Sequence, residues 1–287
     1  MTDKQIVILV SIIASALLLL VLLVLALRRF LLLPRRSEKG RLADFISAKY
    51  AHRGLHDATR AENSLSAFAA AKENGFGIEL DVRLCRDGDL VVFHDPTLDR
   101  VAGREGQVID LSAEELRALD LCGTGEGVPR FKEVLELIDG AVPLLIEIKV
   151  EKEWEAVTAR LVEELKGYKG PIIVESFHPF ALRTLRRIRP DIVRGILSAR
   201  FSQKEQYKGK LLYTCLEKLY LNFLFRPDFI AYEQDGYSVG SLRSIRKKYG
   251  TPLFAWTVRS QEDEDAAIGN GFDTVIFENY ISEKRSN

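Results

Sequence analysis

Three cysteines in 287 residues are too few for a disulfide framework, and their number is odd. Cys85, Cys122 and Cys215 lie far apart and none belongs to a metal-ligand pair, so they read as unpaired structural thiols of a reducing compartment. Net charge is also missing: 41 Lys and Arg balance 41 Asp and Glu. The balance is uneven along the chain, because residues 1–41 hold seven basic and two acidic side chains and leave 34 and 39 to the rest. A basic collar followed by a mildly acidic domain argues against nucleic acid as a partner. Low-complexity tracts are absent, and no repeat is evident beyond the alternation described below.

Long apolar runs are absent except for one. Residues 6–27 hold 22 residues without a charge, enough to cross a hydrocarbon core of ~30 Å. A signal peptide has a shorter apolar part and a small-residue cleavage site, whereas this run ends in Ala26-Leu27-Arg28-Arg29, so a retained transmembrane helix is expected. Arg28, Arg29, Arg35, Arg36, Lys39 and Arg41 follow the span and only Lys4 precedes it, which predicts a single-pass cell-membrane protein whose C-terminal domain faces the cytoplasm. The expected organisation is an N-terminal tail over 1–5, the span over 6–27, a basic linker over 28–47 and one domain over 48–287. The linker's charges suit contact with anionic lipid. About 20 linker residues reach up to ~65 Å when extended.

Beyond the linker, strand-like and helix-like segments alternate. Strands are expected at 48–54, 77–84, 90–95, 143–150, 171–177, 192–198, 229–235, 252–258 and 273–278, and helices at 64–74, 112–119, 130–139, 153–167, 179–188, 203–222, 239–248 and 261–269. One strand is a hairpin return, and the other eight keep the rhythm of an α/β fold, a (β/α)8 TIM barrel behind an N-terminal transmembrane helix. Such barrels carry their chemistry at the C-terminal ends of the strands. His52, Asp81, Glu147, Lys149, Glu175, Ser176, Trp256 and Glu278 all fall near strand ends.

The stretch 51–95 gathers His52-Arg53-Gly54, Glu62-Asn63, Glu79-x-Asp81 and His94-Asp95. Segments 77–84 and 90–95 are too close in sequence to be parallel, and Asp87-Gly88 is a strong hairpin signal. A two-residue turn there sets Asp81 opposite His94 and puts Glu79, Asp81 and His94 on one face. Two carboxylates interrupting an apolar strand need a compensating partner, and a hard divalent cation fits them.

These motifs, followed by Glu147-Ile148-Lys149, resemble the glycerophosphodiester phosphodiesterase family from about Tyr50 to Tyr280. The resemblance implies hydrolysis of glycerophosphodiesters to sn-glycerol 3-phosphate and an alcohol, at the membrane surface in a tethered member. His52 and His94 then become the candidates for proton transfer, while His56 and His178 read as structural or peripheral. Glu79, Asp81 and Glu147 are expected to hold one divalent cation, Mg²⁺ or Ca²⁺. Arg53 and Lys149 are the expected phosphate holders, Glu62 reaches the site from the first loop, and Trp256 lines the pocket. Asn63 is an alternative cap for the helix at 64–74.

The chain departs from the family pattern at Ala61-Glu62-Asn63-Ser64, at Trp256-Thr257-Val258-Arg259 and at Phe277-Glu278-Asn279-Tyr280. The last two alter the side of the pocket that meets the substrate alcohol. Residues 203–225 have no counterpart in the pattern, and they read as a basic amphipathic helix on the mouth side, lying on lipid or on the barrel wall. A lysophospholipase D acting on lysophospholipids is the alternative activity, and a catalytically inactive, membrane-tethered binding or regulatory barrel is the alternative from another class.

Overall fold

Apolar runs of four to six residues separated by polar helices leave a parallel sheet as the arrangement that buries them on both faces. The computed structural model describes residues 2–35, 40–150 and 153–283. It contains β1 (Tyr50–Ala51), β2 (Gly77–Leu84), β3 (Leu90–Val92), β4 (Leu144–Ile148), β5 (Ile172–Ser176), β6 (Val193–Ser198), β7 (Phe229–Glu233), β8 (Leu253–Val258) and β9 (Thr274–Phe277). Eight of these run parallel, and β1 pairs with both β2 and β9, which closes the sheet into a TIM barrel. The ninth strand, β3, returns antiparallel along the end of β2.

Alternation along each strand sorts the side chains. Ile78, Leu80 and Val82 of β2 and Leu144, Ile146 and Ile148 of β4 face the surrounding helices. Leu145, Ile173, Phe229, Phe254 and Ile276 fill the lower barrel, stacked on Tyr50. Carboxylates occupy the inward positions above them, because Asp81 lies beside Glu147 and Glu147 beside Glu175 on three neighbouring strands.

The hairpin corrects one expectation. Val82 pairs with Val92 and Leu84 with Leu90, and the Cys85 amide donates to the Asp89 carbonyl. The loop is therefore three residues, with Gly88 in the left-handed region at φ 78°, rather than a two-residue turn. Phe93 faces Asp81, its amide donating to the Asp81 carbonyl at 3.0 Å, and His94 lies one residue beyond. A one-residue change of register turns a side chain to the opposite face, so His94 enters the site from the loop after β3 and not as a cross-strand neighbour.

Residues 203–222 differ as well. They form the short turns Phe201–Gln203 and Glu205–Tyr207 and the helix Leu211–Glu217, followed by a further turn of helix over Asn222–Phe225. Gly209 and Leu219, both at positive φ, punctuate the segment. Leu219 and Phe225 are core residues, while Leu211 and Leu212 are exposed. First β1 is shorter than expected, because Arg53 at φ 55° and Gly54 at φ 82° turn the chain immediately after His52.

Helix Asp3–Leu31 covers the apolar run, is long and apolar enough to cross a membrane, and buries none of its residues. It does not lead into a free tether. Leu32 and Pro34 are buried, Phe30 packs against Phe223, and the Arg35 amide donates to the Pro227 carbonyl at 2.9 Å. The Arg35 guanidinium donates to the Pro190 carbonyl at 2.6 Å and lies 3.7 Å from Asp228. Beyond, the helix Ala43–Ser47 closes the lower end of the barrel, with Leu42, Phe45 and Ile46 against the Tyr50 cluster. Arg36 and Lys39 of the expected linker lie outside the described residues.

One strand contact tests the lower barrel layer. A Cβ on Gly195 of β6 would come within 2.3 Å of the Phe229 ring. Gly195→Val is expected to cost about 1–3 kcal/mol through overpacking, read as a lower urea midpoint of the full chain. An unchanged midpoint would refute this packing.

Candidate active site

The mouth of the barrel collects side chains from eight strands or their ends into a cavity of about 220 Å³ lined by His52, Arg53, Glu79, His94, Glu147, Lys149, Glu175 and Trp256 among others. Two positions of β2 and one of β4 supply Glu79, Asp81 and Glu147, all buried, with a ligand oxygen from each within 4.8 Å of the others. Burial first, then the charges of Asp81 and Glu147, pushes Glu79 well above the usual carboxylate range. Burial pushes Glu147 up to about 7, with Asp81 adding to the shift and Lys149 opposing it. Burial acts upward on Asp81 too, but Lys149, His94, Arg53 and the Asn63 amide prevail and hold its carboxyl well below the ordinary value.

Two cations answer this charge. Lys149 Nζ lies 2.7 Å from Glu147 Oε2 and 3.1 Å from Asp81 Oδ1. The Arg53 amide donates to Glu79 Oε2 at 2.9 Å, and its guanidinium reaches Glu62 at 2.7 Å and Asp81 at 3.4 Å. Asn63 donates to Asp81 Oδ2 at 2.8 Å, so it serves the carboxylates. The helix Leu65–Glu73 is capped by Ser64, not by Asn63 as the sequence suggested. Three clustered, mutually repelling, all-oxygen donors fit a hard divalent cation such as Mg²⁺ or Ca²⁺.

Both site histidines are held the same way. His52 Nδ1 stands 3.2 Å from Glu278 Oε2, and Glu278 is brought down to about 2 by that hydrogen bond and by the Arg259 and His56 charges. An ionised carboxylate only accepts, which assigns the proton to Nδ1 and leaves Nε2 bare, 3.9 Å from Glu79. His94 Nδ1 meets Asp95 at 2.6 Å, and hydrogen bonds from Arg100 and His94 keep Asp95 ionised against its burial. Burial lowers His52 below its ordinary value and takes His94 down to about 4, so both rings are neutral near pH 7.

Glu62 does not point into the cavity. It is bound by Arg53 and, through both oxygens at 2.7 Å, by Arg100, and thereby fixes Arg53. Trp256 meets the ring of Phe177 edge-on at 5.4 Å and forms the wall between this cavity and a second groove. His178 caps the helix Pro179–Ile188 and stacks on Trp154, a structural role, while His56 stands 3.7 Å from Glu278 at the periphery.

A model of the glycerophosphoryl diester phosphodiesterase family matches residues 52–281, most of the chain and all of the cavity. The chain belongs to this family. The glycerophosphodiester phosphodiesterase of Caldanaerobacter subterraneus is 33% identical over 247 aligned residues, covering 79% of this chain and 91% of its own length. A phosphodiesterase of Oleispira antarctica, solved in complex with the product sn-glycerol-3-phosphate, superposes with a TM-score of 0.68 at 26% identity, covering 81% of this chain and 93% of that one. A glycerophosphodiester phosphodiesterase of Thermotoga maritima superposes with a TM-score of 0.61 at 30% identity, over 80% and 94%.

Within the family pattern the sequence reading did not assign site roles to Glu175, Glu278, Asp95 and Arg100. Glu175 is buried, its Oε2 has no hydrogen-bond partner among the described residues, and burial with the Glu79 and Glu147 charges pushes its carboxyl well above the usual carboxylate range. Its signal was present, a carboxylate ending an apolar strand one register step from Glu147. Arg100 lies on the short helix Asp99–Ala102 of the 95–130 insertion, and no local pattern ties it to Glu62.

The raised Glu147 carboxyl has a measurable consequence. Its ordinary value is 4.5 and its folded value about 7, so folding takes up a proton in that window. Stability present below pH 4.5 is therefore lost as pH rises toward and through 7. In chelator, the wild-type chain should lose stability between pH 5 and 8 relative to Glu147→Gln, by about 1–3 kcal/mol in urea unfolding. Parallel pH profiles for the two would refute the assignment.

Proposed function

We propose that the chain is a divalent-cation-dependent phosphodiesterase that hydrolyses glycerophosphodiesters to sn-glycerol 3-phosphate and an alcohol. The observation that carries this reading is the pair of imidazoles, each with Nδ1 at hydrogen-bond distance from a carboxylate, beside a cluster of three buried carboxylates. We take residues 1–5 as a tail, 6–27 as a membrane span, 28–47 as its basic connection and 48–287 as the catalytic domain, cytoplasmic by the excess of Lys and Arg after the span.

Glu79, Asp81 and Glu147 are the proposed ligands of one Mg²⁺ or Ca²⁺. When bound, such an ion polarises phosphoryl oxygens and offsets their developing charge. Arg53 and Lys149 grip the remaining phosphate oxygens, with Glu62 as a positioning residue behind Arg53. His52 is the principal acid/base: its bare Nε2 takes the proton of an attacking hydroxyl, while Glu278 stabilises the imidazolium that results. His94 is its partner for the leaving oxygen. Burial first, and then the Lys149 and Arg53 charges, disfavour its charged form, and an anionic phosphate between the two cations offsets their part. Trp256 and Phe177 bound the space for the alcohol.

Release of glycerol 3-phosphate or choline from glycerophosphocholine tests this directly. EDTA and His52→Ala are each expected to lower the rate by at least ~100-fold, with Mg²⁺ or Ca²⁺ restoring the chelated enzyme. Full activity in EDTA would remove the cation, and full activity of the folded His52→Ala variant would remove the histidine assignment.

A groove of about 490 Å³ lined by Phe177, Phe201, Tyr207, Leu212, Tyr213 and Trp256 adjoins the cavity and favours lysophospholipase D as a second reading, with the acyl chain in the groove. Leu212→Asp is then expected to lower lysophosphatidylcholine turnover more than tenfold while glycerophosphocholine turnover stays unchanged. Equal effects on the two substrates would sink this reading. Leu219 and Phe225 are core residues and Phe223 packs on Phe30, so none of these three lines the groove.

A further inference from the structure

The helix Asp3–Leu31 runs without a break from the apolar span into the barrel, and the place where it arrives has a consequence for access to the site. This inference rests on the reading of that helix as a membrane span.

Arg28 and Arg29 mark the end of the apolar run, and Leu32, the first residue buried in the barrel, stands only five positions after Leu27. At 1.5 Å per residue this is about 8 Å along the chain axis. All of Ile6, Val7, Leu9, Leu18, Leu23 and Leu27 remain exposed, so the helix leaves the barrel instead of lying along its wall.

The contacts that receive it belong to one rim. Pro190 and Asp191 precede β6, and Pro227 and Asp228 precede β7, so all four lie at the N-terminal ends of the strands. Arg35 binds the first, third and fourth through the Pro190 carbonyl, the Pro227 carbonyl and the Asp228 carboxylate, and Arg41 donates to the Asp191 carbonyl. Phe30 adds a ring contact to Phe223, at 5.2 Å between centroids. His52, Glu79, His94 and Glu147 open at the opposite end of the barrel. Among the described residues, the connection that would let the mouth turn toward lipid is held to the rim at Arg35 and again at Arg41.

We propose that the barrel is fixed with its lower rim, at the starts of β6 and β7, against the lipid headgroups, and that its mouth opens away from the bilayer. Substrate then reaches the cavity from the aqueous phase, as a water-soluble diester or a lipid that has left the membrane, and not by lateral passage from the membrane that holds the anchor.

The test uses the full chain reconstituted in phosphatidylcholine–phosphatidylglycerol vesicles doped with a headgroup-nitroxide lipid. A fluorophore is placed on native Cys122, exposed in the 95–130 insertion beside the mouth, in a Cys215→Ser background. In a second protein it is placed on Ile188→Cys, at the lower end of the helix Pro179–Ile188, with Cys122 and Cys215 replaced by Ser. The lower-rim label should be quenched at least threefold more strongly than the mouth label. Equal quenching, or stronger quenching of the mouth label, overturns the orientation. Flotation reports the anchor separately: protein that fails to float with the vesicles overturns the membrane reading on which this rests, while leaving hydrolysis of glycerophosphocholine untouched.

Discussion

The structure depends on negative charge held where water is scarce. Glu79, Asp81, Glu147 and Glu175 are all buried, the last three in register on neighbouring strands and Glu79 two residues before Asp81 on β2, and burial alone makes each ionised carboxylate costly. Almost every other feature of the mouth answers that cost. Lys149 sits between Asp81 and Glu147, the Arg53 amide and guanidinium divide themselves among Glu79, Asp81 and Glu62, and Asn63 gives its side-chain amide to Asp81. Glu175, with no such partner for its Oε2 among the described residues, is pushed well above the usual carboxylate range by its burial. An interior arranged this way has a standing demand for positive charge, which a divalent cation at the three carboxylates could meet.

The histidines work from the same balance at one remove. Neither touches an ion-pair partner through Nε2 at hydrogen-bond distance, and each is oriented from behind by a carboxylate that the histidine itself and further cations hold ionised. Glu278 is supported by Arg259 and His56, and Asp95 by Arg100. The two sides of the cavity thus reach the same protonation pattern from unrelated elements, one at the end of the last strand and the other in an insertion.

Much of this was legible in the sequence because the barrel imposes a period. Alternation along β2 and β4 places Glu79, Asp81 and Glu147 inward as soon as their apolar neighbours are read as facing the helices, and strand ends locate the mouth. Turn geometry was less legible: Asp87-Gly88 suits a two-residue loop as well as the three-residue loop that forms, and that one residue decides whether His94 or Phe93 faces Asp81. Segment 203–225 carried a helical period, yet Gly209 and the left-handed turn at Leu219 divide it, a choice made by packing on the barrel. Arg100 was invisible to local pattern because its partner Glu62 lies 38 residues away and meets it only through the fold.

That last contact ties the insertion after β3 to the loop after β1. The 95–130 insertion packs Leu98, Val101, Val108, Leu116 and Leu121 into a small apolar cluster with Phe93, Val91 and Ala61. Arg100, half exposed on its surface, nevertheless holds both oxygens of Glu62, and Glu62 holds Arg53. The Arg53 guanidinium is thereby held in part from an insertion outside the barrel. Sequence drift in that loop can retune how firmly Arg53 is held while the strands, the carboxylates and the histidines stay fixed.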